Sequence, residues 1–247
     1  MDDTLLLALA FLAGATLYAA VGHAGASGYL AAMALIGVAP ATMRPTALAL
    51  NILVASIVTI RFHLAGHVPW RSVLPFVLGS IPLAYVGGSI VLPTSTYRQV
   101  VGLVLLVAAA QLFATARRAA EHDEGRASIP FAPALGIGAG IGLLSGLTGT
   151  GGGIFLTPLI LTLGWSKARV ASGISAVFIL ANSISGLLGN VAAVKSLPPA
   201  LPIWLVAVAV GGLVGSELGA RRLRTPTLRR ALALVVAIAG LKLVFLV

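Results

Sequence analysis

Apolar positions dominate the chain in long uninterrupted runs, and polar positions are confined to short stretches between them. A membrane-spanning helix needs about 20 mostly apolar residues, because the hydrocarbon core of a bilayer is about 30 Å thick. Eight runs are close to this length: Thr4–Val21, Ala41–Ile60, Val73–Leu92, Val100–Ala116, Phe131–Leu147, Val170–Val194, Leu197–Leu218 and Leu228–Val247. The pattern predicts an all-α fold, a polytopic membrane helix bundle.

Two further apolar runs, Tyr29–Val38 and Ile154–Leu163, are only about half as long. A helix of this length reaches across about half of the hydrocarbon core. Each run follows a glycine-rich stretch, and glycine readily adopts the backbone conformations that interrupt a helix. We therefore predict two short, half-spanning helices, each beginning after a glycine-rich loop.

The two halves of the chain resemble each other at an offset of 127 residues, without a gap. The informative matches are glycines, prolines and serines, since alanine and leucine matches arise often by chance in such a chain. These matches pair Gly22 with Gly149, Gly25 with Gly152, Gly37 with Gly164, Ser56 with Ser183, Pro75 with Pro202 and Gly88 with Gly215. We predict repeat 1 over residues 1–116, a cytoplasmic linker over residues 117–130 and repeat 2 over residues 131–247.

Each repeat holds five helical segments, and an odd number implies that the repeats insert with opposite orientation. With the N-terminus outside and every segment crossing, 12 of the 16 Lys and Arg residues fall inside. The four outside are Arg44, Arg98, Lys195 and Lys242. By the positive-inside rule, this predicts a multi-pass inner-membrane protein with both termini in the periplasm. The same parity holds if the first helix and the short helix of each repeat form a hairpin that does not fully cross. Eight crossings with parallel repeats fit the charges less well.

Composition excludes several classes of function. Charged residues make up 9% of the chain, whereas soluble domains carry about 25%. The net charge of +10 lies in short loops, where it sets orientation, so no nucleic-acid partner is predicted. There is no cysteine, no HExxH motif and no paired intramembrane aspartate, so we predict neither an enzyme nor a metal or cofactor. Glu217 is expected to pair with Arg221, one helical turn away.

The glycine-rich stretches are the candidate binding site. Unpaired backbone groups cost several kcal/mol in hydrocarbon, so such a loop must be buried in protein or line a wet cavity. The helix that follows directs free N–H groups and a positive dipole end at that cavity, which suits an anion. Candidate substrate-binding residues are His23, Ser27, Gly28, Asn51, Thr150, Gly151, Gly152, Gly153, Ser175 and Asn182. The alternative is structural: glycines allow close helix packing, and buried Asn and Ser bridge helices.

The segment Gly149-Thr150-Gly151-Gly152-Gly153, followed by Pro158, Gly164-Trp165 and Ala171-Ser172-Gly173-Ile174-Ser175, resembles the TauE/SafE family of sulfite and organosulfonate transporters. A weaker copy between Gly22 and Pro45 matches the duplicated pattern, although His23-Ala24-Gly25-Ala26-Ser27 replaces a glycine triplet. The resemblance covers essentially the whole chain.

The resemblance implies a secondary transporter of a small sulfur-containing anion, such as sulfite, a sulfonate or sulfoacetate. We expect alternating access through rocking of the repeats, with the lipid bilayer and the anion as partners and a homodimer as one option. The alternatives are a transporter of another small anion and a non-transporting assembly or receptor subunit. Gly152→Leu is expected to abolish flux while the protein stays folded.

Overall fold

The computed structural model describes residues 3–118, 129–191, 197–221 and 226–245, except for the side chains of residues 115–118, 219–221, 226–229, 231 and 232. Most of the predicted linker, together with Lys195, lies outside these ranges. The described ranges form ten α-helices and contain no strand, which confirms the all-α prediction. The helices are α1 Asp3–Ala19, α2 Ala26–Ile36, α3 Pro40–Leu64, α4 Trp70–Ser89, α5 Thr94–Arg118, α6 Phe131–Thr148, α7 Gly153–Thr162, α8 Ala168–Gly189, α9 Leu201–Arg221 and α10 Pro226–Phe245.

Helix lengths agree with a membrane protein. In the described ranges, six helices are long and apolar enough to cross a bilayer: α3, α4, α5, α6, α8 and α9. Helices α2 and α7 have 11 and 10 residues, as expected for the half-spanning segments. Helix α1, predicted as a long segment, has 17 residues. Many large apolar side chains on the outer faces are exposed, for example Leu78 at 50% and Val206 at 65%, which is the surface that lipid covers.

Glycines allow α4 and α6 to approach until their backbones touch. A methyl group on Gly138, Gly142 or Gly146 would overlap backbone atoms of α4. Their neighbours across the interface are Phe76, Ser80 and Ala84 in that order, so both helices run in the same direction. Small residues four apart are the usual means of close packing in membrane bundles. This interface is the most extensive helix–helix contact among the described residues.

Helix α1 packs against α9 in the same way, with Gly211 and Gly215 against the backbone of Leu12 and Thr16. At the 127-residue offset, α1 corresponds to α6 and α9 corresponds to α4, so the two interfaces are counterparts. At the centre, α3 crosses its own counterpart α8. Leu48 lies near Gly186 and Asn51 near Ser183, so these two helices run in opposite directions.

The expected pair of Glu217 with Arg221 stays a prediction, and the described side chains give Glu217 a further partner. Glu217 Oε2 forms a salt bridge with Arg61 Nη1 at 3.1 Å, joining the last turns of α9 and α3. The two helices lie side by side there, so the salt bridge joins two residues that are 156 positions apart in the sequence. The side chain of Arg221 lies outside the described residues.

Candidate functional site

The two glycine-rich loops meet in the interior, and a small pocket lies where they meet. Its polar lining comes from Tyr18, His23, Ser27, Asn51 and Thr150, and Ile154 and Ile179 close its apolar side. The pocket volume is about 10 Å³, which is about the room needed by one water molecule. None of the residues that line it carries a carboxylate.

The first loop is held by two tyrosines. Tyr29 Oη donates a hydrogen bond to the carbonyl oxygen of Ala24 at 2.6 Å, and Tyr18 Oη and Ser27 Oγ lie 2.5 Å apart. Gly25 ends the loop with a φ of 106°, in the left-handed region that glycine adopts without strain. Helix α2 therefore begins immediately beside the pocket, and no side chain caps its N-terminus.

The second loop has three glycines with positive φ: Gly149, Gly151 and Gly152. Thr150, between them, is held by the hydroxyl of Thr148, with the two Oγ1 atoms 3.0 Å apart. Helix α7 then begins at Gly153, and its N-terminus also has no side-chain cap. Two uncapped helix N-termini, one from each repeat, therefore lie at the same pocket.

A direct hydrogen bond joins the two loops. His23 Nε2 lies 3.1 Å from the carbonyl oxygen of Gly153, a contact across 130 residues of sequence. At the 127-residue offset, His23 corresponds to Thr150, and both residues line the pocket. Both halves of the chain therefore line the pocket, although the first half supplies four of its five polar side chains, all except Thr150.

Asn51 joins the pocket to the centre of the bundle. Its side chain is fully buried, and Nδ2 donates a long hydrogen bond of 3.4 Å to Ser183 Oγ on α8. Its Oδ1 has no hydrogen-bond partner among the described residues. An unpaired buried acceptor costs about 1–3 kcal/mol, so a hydrogen-bond donor placed beside this oxygen would be stabilising.

The remaining predicted residues lie around the pocket without lining it. Gly28 faces the ring of Tyr18, while Gly151 and Gly153 face Asn51 and Ile179. Gly152 faces Ile141 and Phe178. The hydroxyl of Ser175 accepts a hydrogen bond from Thr157 Oγ1 at 2.6 Å, which joins α7 to α8. Asn182 is fully buried, and neither atom of its amide has a described partner.

Sequence reasoning missed Tyr18, Ile154 and Ile179 as pocket residues. Tyr18 lies inside an apolar run, where a single tyrosine is equally typical of a buried residue or an interfacial anchor. The signal that could have found it is its place one turn before the first glycine loop. The two isoleucines carry no signal, because they are apolar residues in apolar helices.

Comparison with known proteins identifies the family of the chain. Residues 6–243 match the family "Sulfite exporter TauE/SafE". A "Probable membrane transporter protein y4hK" from Sinorhizobium fredii (strain NBRC 101917 / NGR234) is 46% identical over 243 residues, covering 97% of each chain. No solved structure has significant similarity to the chain. With the family matched from α1 to α10, the chain belongs to the sulfite exporter TauE/SafE family and is a membrane transporter, not an enzyme.

Proposed function

We propose that the protein carries a small sulfur-containing anion across the inner membrane by alternating access, and that the anion binds between the two glycine-rich loops. The observation that carries the proposal is the meeting of two uncapped helix N-termini, those of α2 and α7, at one pocket. Each helix N-terminus presents about half a positive charge and several free N–H donors. Together they suit a ligand of one to two negative charges.

The side chains at the pocket supply further donors. Tyr18 and Ser27 share one hydrogen bond, so one of their two hydroxyl protons can turn toward an anion. The Thr150 hydroxyl and His23 Nε2 donate to Thr148 and to the Gly153 carbonyl, so they would have to leave these partners to bind the anion. Turning the Asn51 amide over would let Oδ1 accept from the Ser183 hydroxyl. The two Nδ2 protons would then point to where the unpaired oxygen now lies. The absence of a carboxylate from the lining favours an anion over a cation.

The pocket is too small for the proposed substrate in this conformation. Sulfite has four heavy atoms, whereas the volume of about 10 Å³ accommodates a single water molecule. The conformation is therefore a closed one, and the loops must separate for the anion to bind. Asn182, whose amide is buried without a described partner, is a residue that we expect to meet the anion along the opened path.

The inverted arrangement of the two repeats permits the motion that alternating access requires. The counterpart helices α3 and α8 run in opposite directions. The α4–α6 interface in one part of the bundle corresponds to the α1–α9 interface in the other. This arrangement supports rocking of one repeat against the other about the pocket, with access alternating between the two membrane faces. The positive-inside distribution of Lys and Arg supports an orientation with both termini in the periplasm.

The test is sulfite flux into proteoliposomes containing the purified protein. Asn51→Leu removes the amide at nearly constant volume, and we expect flux to fall at least ~10-fold, because a hydrogen bond to a charged ligand is worth roughly 1.5–3 kcal/mol. The matched control is Ser56→Ala on the same helix, since Ser56 Oγ bonds its own backbone at Ile52 and does not line the pocket. The control should transport normally.

A binding measurement separates this proposal from transport of another anion. Thermal unfolding of the wild type is followed with sulfite, sulfate, thiosulfate, taurine, sulfoacetate and unrelated carboxylates. We expect stabilisation by one or more of the sulfur-containing anions, and a loss of that stabilisation in Asn51→Leu. Stabilisation by carboxylates alone, or normal sulfite flux in Asn51→Leu, would count against the proposed site.

A further inference from the structure

Arg44 is buried where three helices end. On the sequence it is one of four basic residues outside, with an expected role in orientation, but its side chain is only 7% exposed. Its Nη1 donates to the carbonyl oxygens of Ile90 at 3.0 Å and Leu147 at 3.4 Å. With the Asn190 amide oriented so that its oxygen faces the guanidinium, that oxygen accepts from Nε at 3.2 Å and Nη2 at 2.7 Å. We name these four residues the Arg44 cluster.

The chemistry of the cluster explains why an arginine is there. Ile90, Leu147 and Asn190 lie at the C-terminal ends of α4, α6 and α8, and each helix end carries about half a negative charge. A guanidinium has five donors in a fixed planar fork and stays charged, so it can bind all three ends at once. Among the described residues no carboxylate pairs with it. A buried charge that lost these neutral partners would be strongly unfavourable, so the cluster holds the three helix ends together.

The cluster is connected to the pocket along α3. Arg44 and Asn51 are seven residues apart, so they lie on the same face of the helix, about 10 Å from each other. The second glycine loop follows this face. Gly149 lies against the side chain of Arg44, and Gly151 lies against the amide of Asn51. Separation of the helix ends would therefore move the loop that covers the pocket.

Among the residues that the structure describes, the opposite end of the bundle has no equivalent. The counterpart of Arg44 at the 127-residue offset is Ala171. Where α1, α3 and α9 end, the described contacts include a hydrogen bond of 3.1 Å from Ser172 Oγ to the carbonyl oxygen of Val21 and the Arg61–Glu217 salt bridge. The two side chains of that salt bridge are 47% and 40% exposed, and exposed ion pairs contribute little. Among the described side chains, a buried charge therefore closes the Arg44 end alone.

We propose that the Arg44 cluster is the gate that closes the pathway at the end of the bundle where α4, α6 and α8 terminate. Arg44 is then a positioning residue for transport, since it acts on the pocket through three helix ends and the second glycine loop. Its bonds must break and re-form in every cycle. The opposite end, where the described residues form no such cluster, opens more readily. The role in transport rests on the proposed function, whereas closure of this end does not.

Accessibility of the pocket tests the gate without any substrate. The chain has no cysteine, so Ala24→Cys places a single thiol at the pocket in an otherwise native protein. A membrane-impermeant maleimide is applied to each membrane face in turn, and the rate of modification is measured. Arg44→Met should raise the rate from the Arg44 side at least ~10-fold, because it removes several charge-assisted hydrogen bonds that favour the closed state. The matched control is Arg98→Met. Arg98 lies near the start of α5 at the same end of the bundle, and its replacement should leave the rate unchanged.

Two further variants keep the test decisive if Arg44→Met does not fold. Asn190→Ala removes the partner of Nε and Nη2 while the arginine stays, and Arg44→Lys keeps the charge but loses the fork. Both should give intermediate rates from the Arg44 side. Unchanged rates in the folded variants would overturn the gate. Raised rates in a protein that carries no sulfite would leave the gate intact and reject the proposed substrate instead.

Discussion

Replacing Gly146 by alanine should lower the free energy of unfolding by about 3 kcal/mol, the upper part of the usual range for overpacking. The added methyl group would overlap the carbonyl oxygen of Ala84, which is backbone and cannot turn aside. To admit it, α4 and α6 must move apart along the whole interface that Gly138, Gly142 and Gly146 create. The cost is therefore larger than one methyl group suggests.

The same substitution elsewhere on α6 provides the control. A methyl group on Gly140 would have no atom within 4 Å, so Gly140→Ala changes only the helix propensity. Alanine is the better helix former by about 1 kcal/mol, so this variant should be as stable as the wild type or more so. Thermal unfolding in detergent, with both variants side by side, measures the difference. Equal melting temperatures would mean that the α4–α6 interface is less close than described.

Gly152→Leu is expected to prevent folding, and this revises the sequence-based expectation that it would abolish flux in a folded protein. Gly152 has a φ of 79°, and a Cβ there would lie 2.7 Å from Ile141 Cγ2 and 2.9 Å from Phe178 Cε1. The left-handed backbone and the overpacking together should destabilise the protein by about 4 kcal/mol. Because fold and flux are lost together, this variant cannot test the binding site, and Asn51→Leu replaces it.

Gly164→Leu separates the two contributions. Gly164 also has a positive φ, of 65°, but a Cβ there would have no atom within 4 Å. This variant should bear only the backbone cost of about 1–3 kcal/mol and should still reach the membrane. The amount of monodisperse protein extracted from membranes, followed by its thermal unfolding, measures both variants. Folding of Gly152→Leu at wild-type levels would show that Ile141 and Phe178 move aside easily.

Much of the fold was predictable because the bilayer restricts it strongly. Apolar runs such as Ala41–Ile60 and Val73–Leu92 have one stable outcome in hydrocarbon, a helix whose backbone is paired internally. The short helices were predictable too, since Gly25 and Gly152 mark their starts and Gly37 and Gly164 follow their ends in both halves. The exact extent of α1 was not, since composition does not fix where a helix ends.

The binding site was predictable only in part. Glycine clusters and a buried asparagine are rare in apolar helices, so the sequence indicates His23, Ser27, Asn51 and Thr150 as site residues. It indicates Ser175 for the same reason, but the Ser175 hydroxyl is bound to Thr157 and does not line this pocket. A sequence shows that a polar group is buried, whereas its partner depends on which helix packs beside it.

The sequence by itself determined that the chain is a membrane protein with ten helical segments and two glycine loops. These features follow from local composition and from the chemistry of an unpaired backbone in lipid. Only the tertiary structure decided that the loops meet, that the first half of the chain supplies most of the polar lining and that Arg44 binds three helix ends. These are contacts across 46 to 130 residues of chain, and no local pattern encodes them. They depend on how closely α4 approaches α6 and how α3 crosses α8, which the packing of the whole bundle fixes.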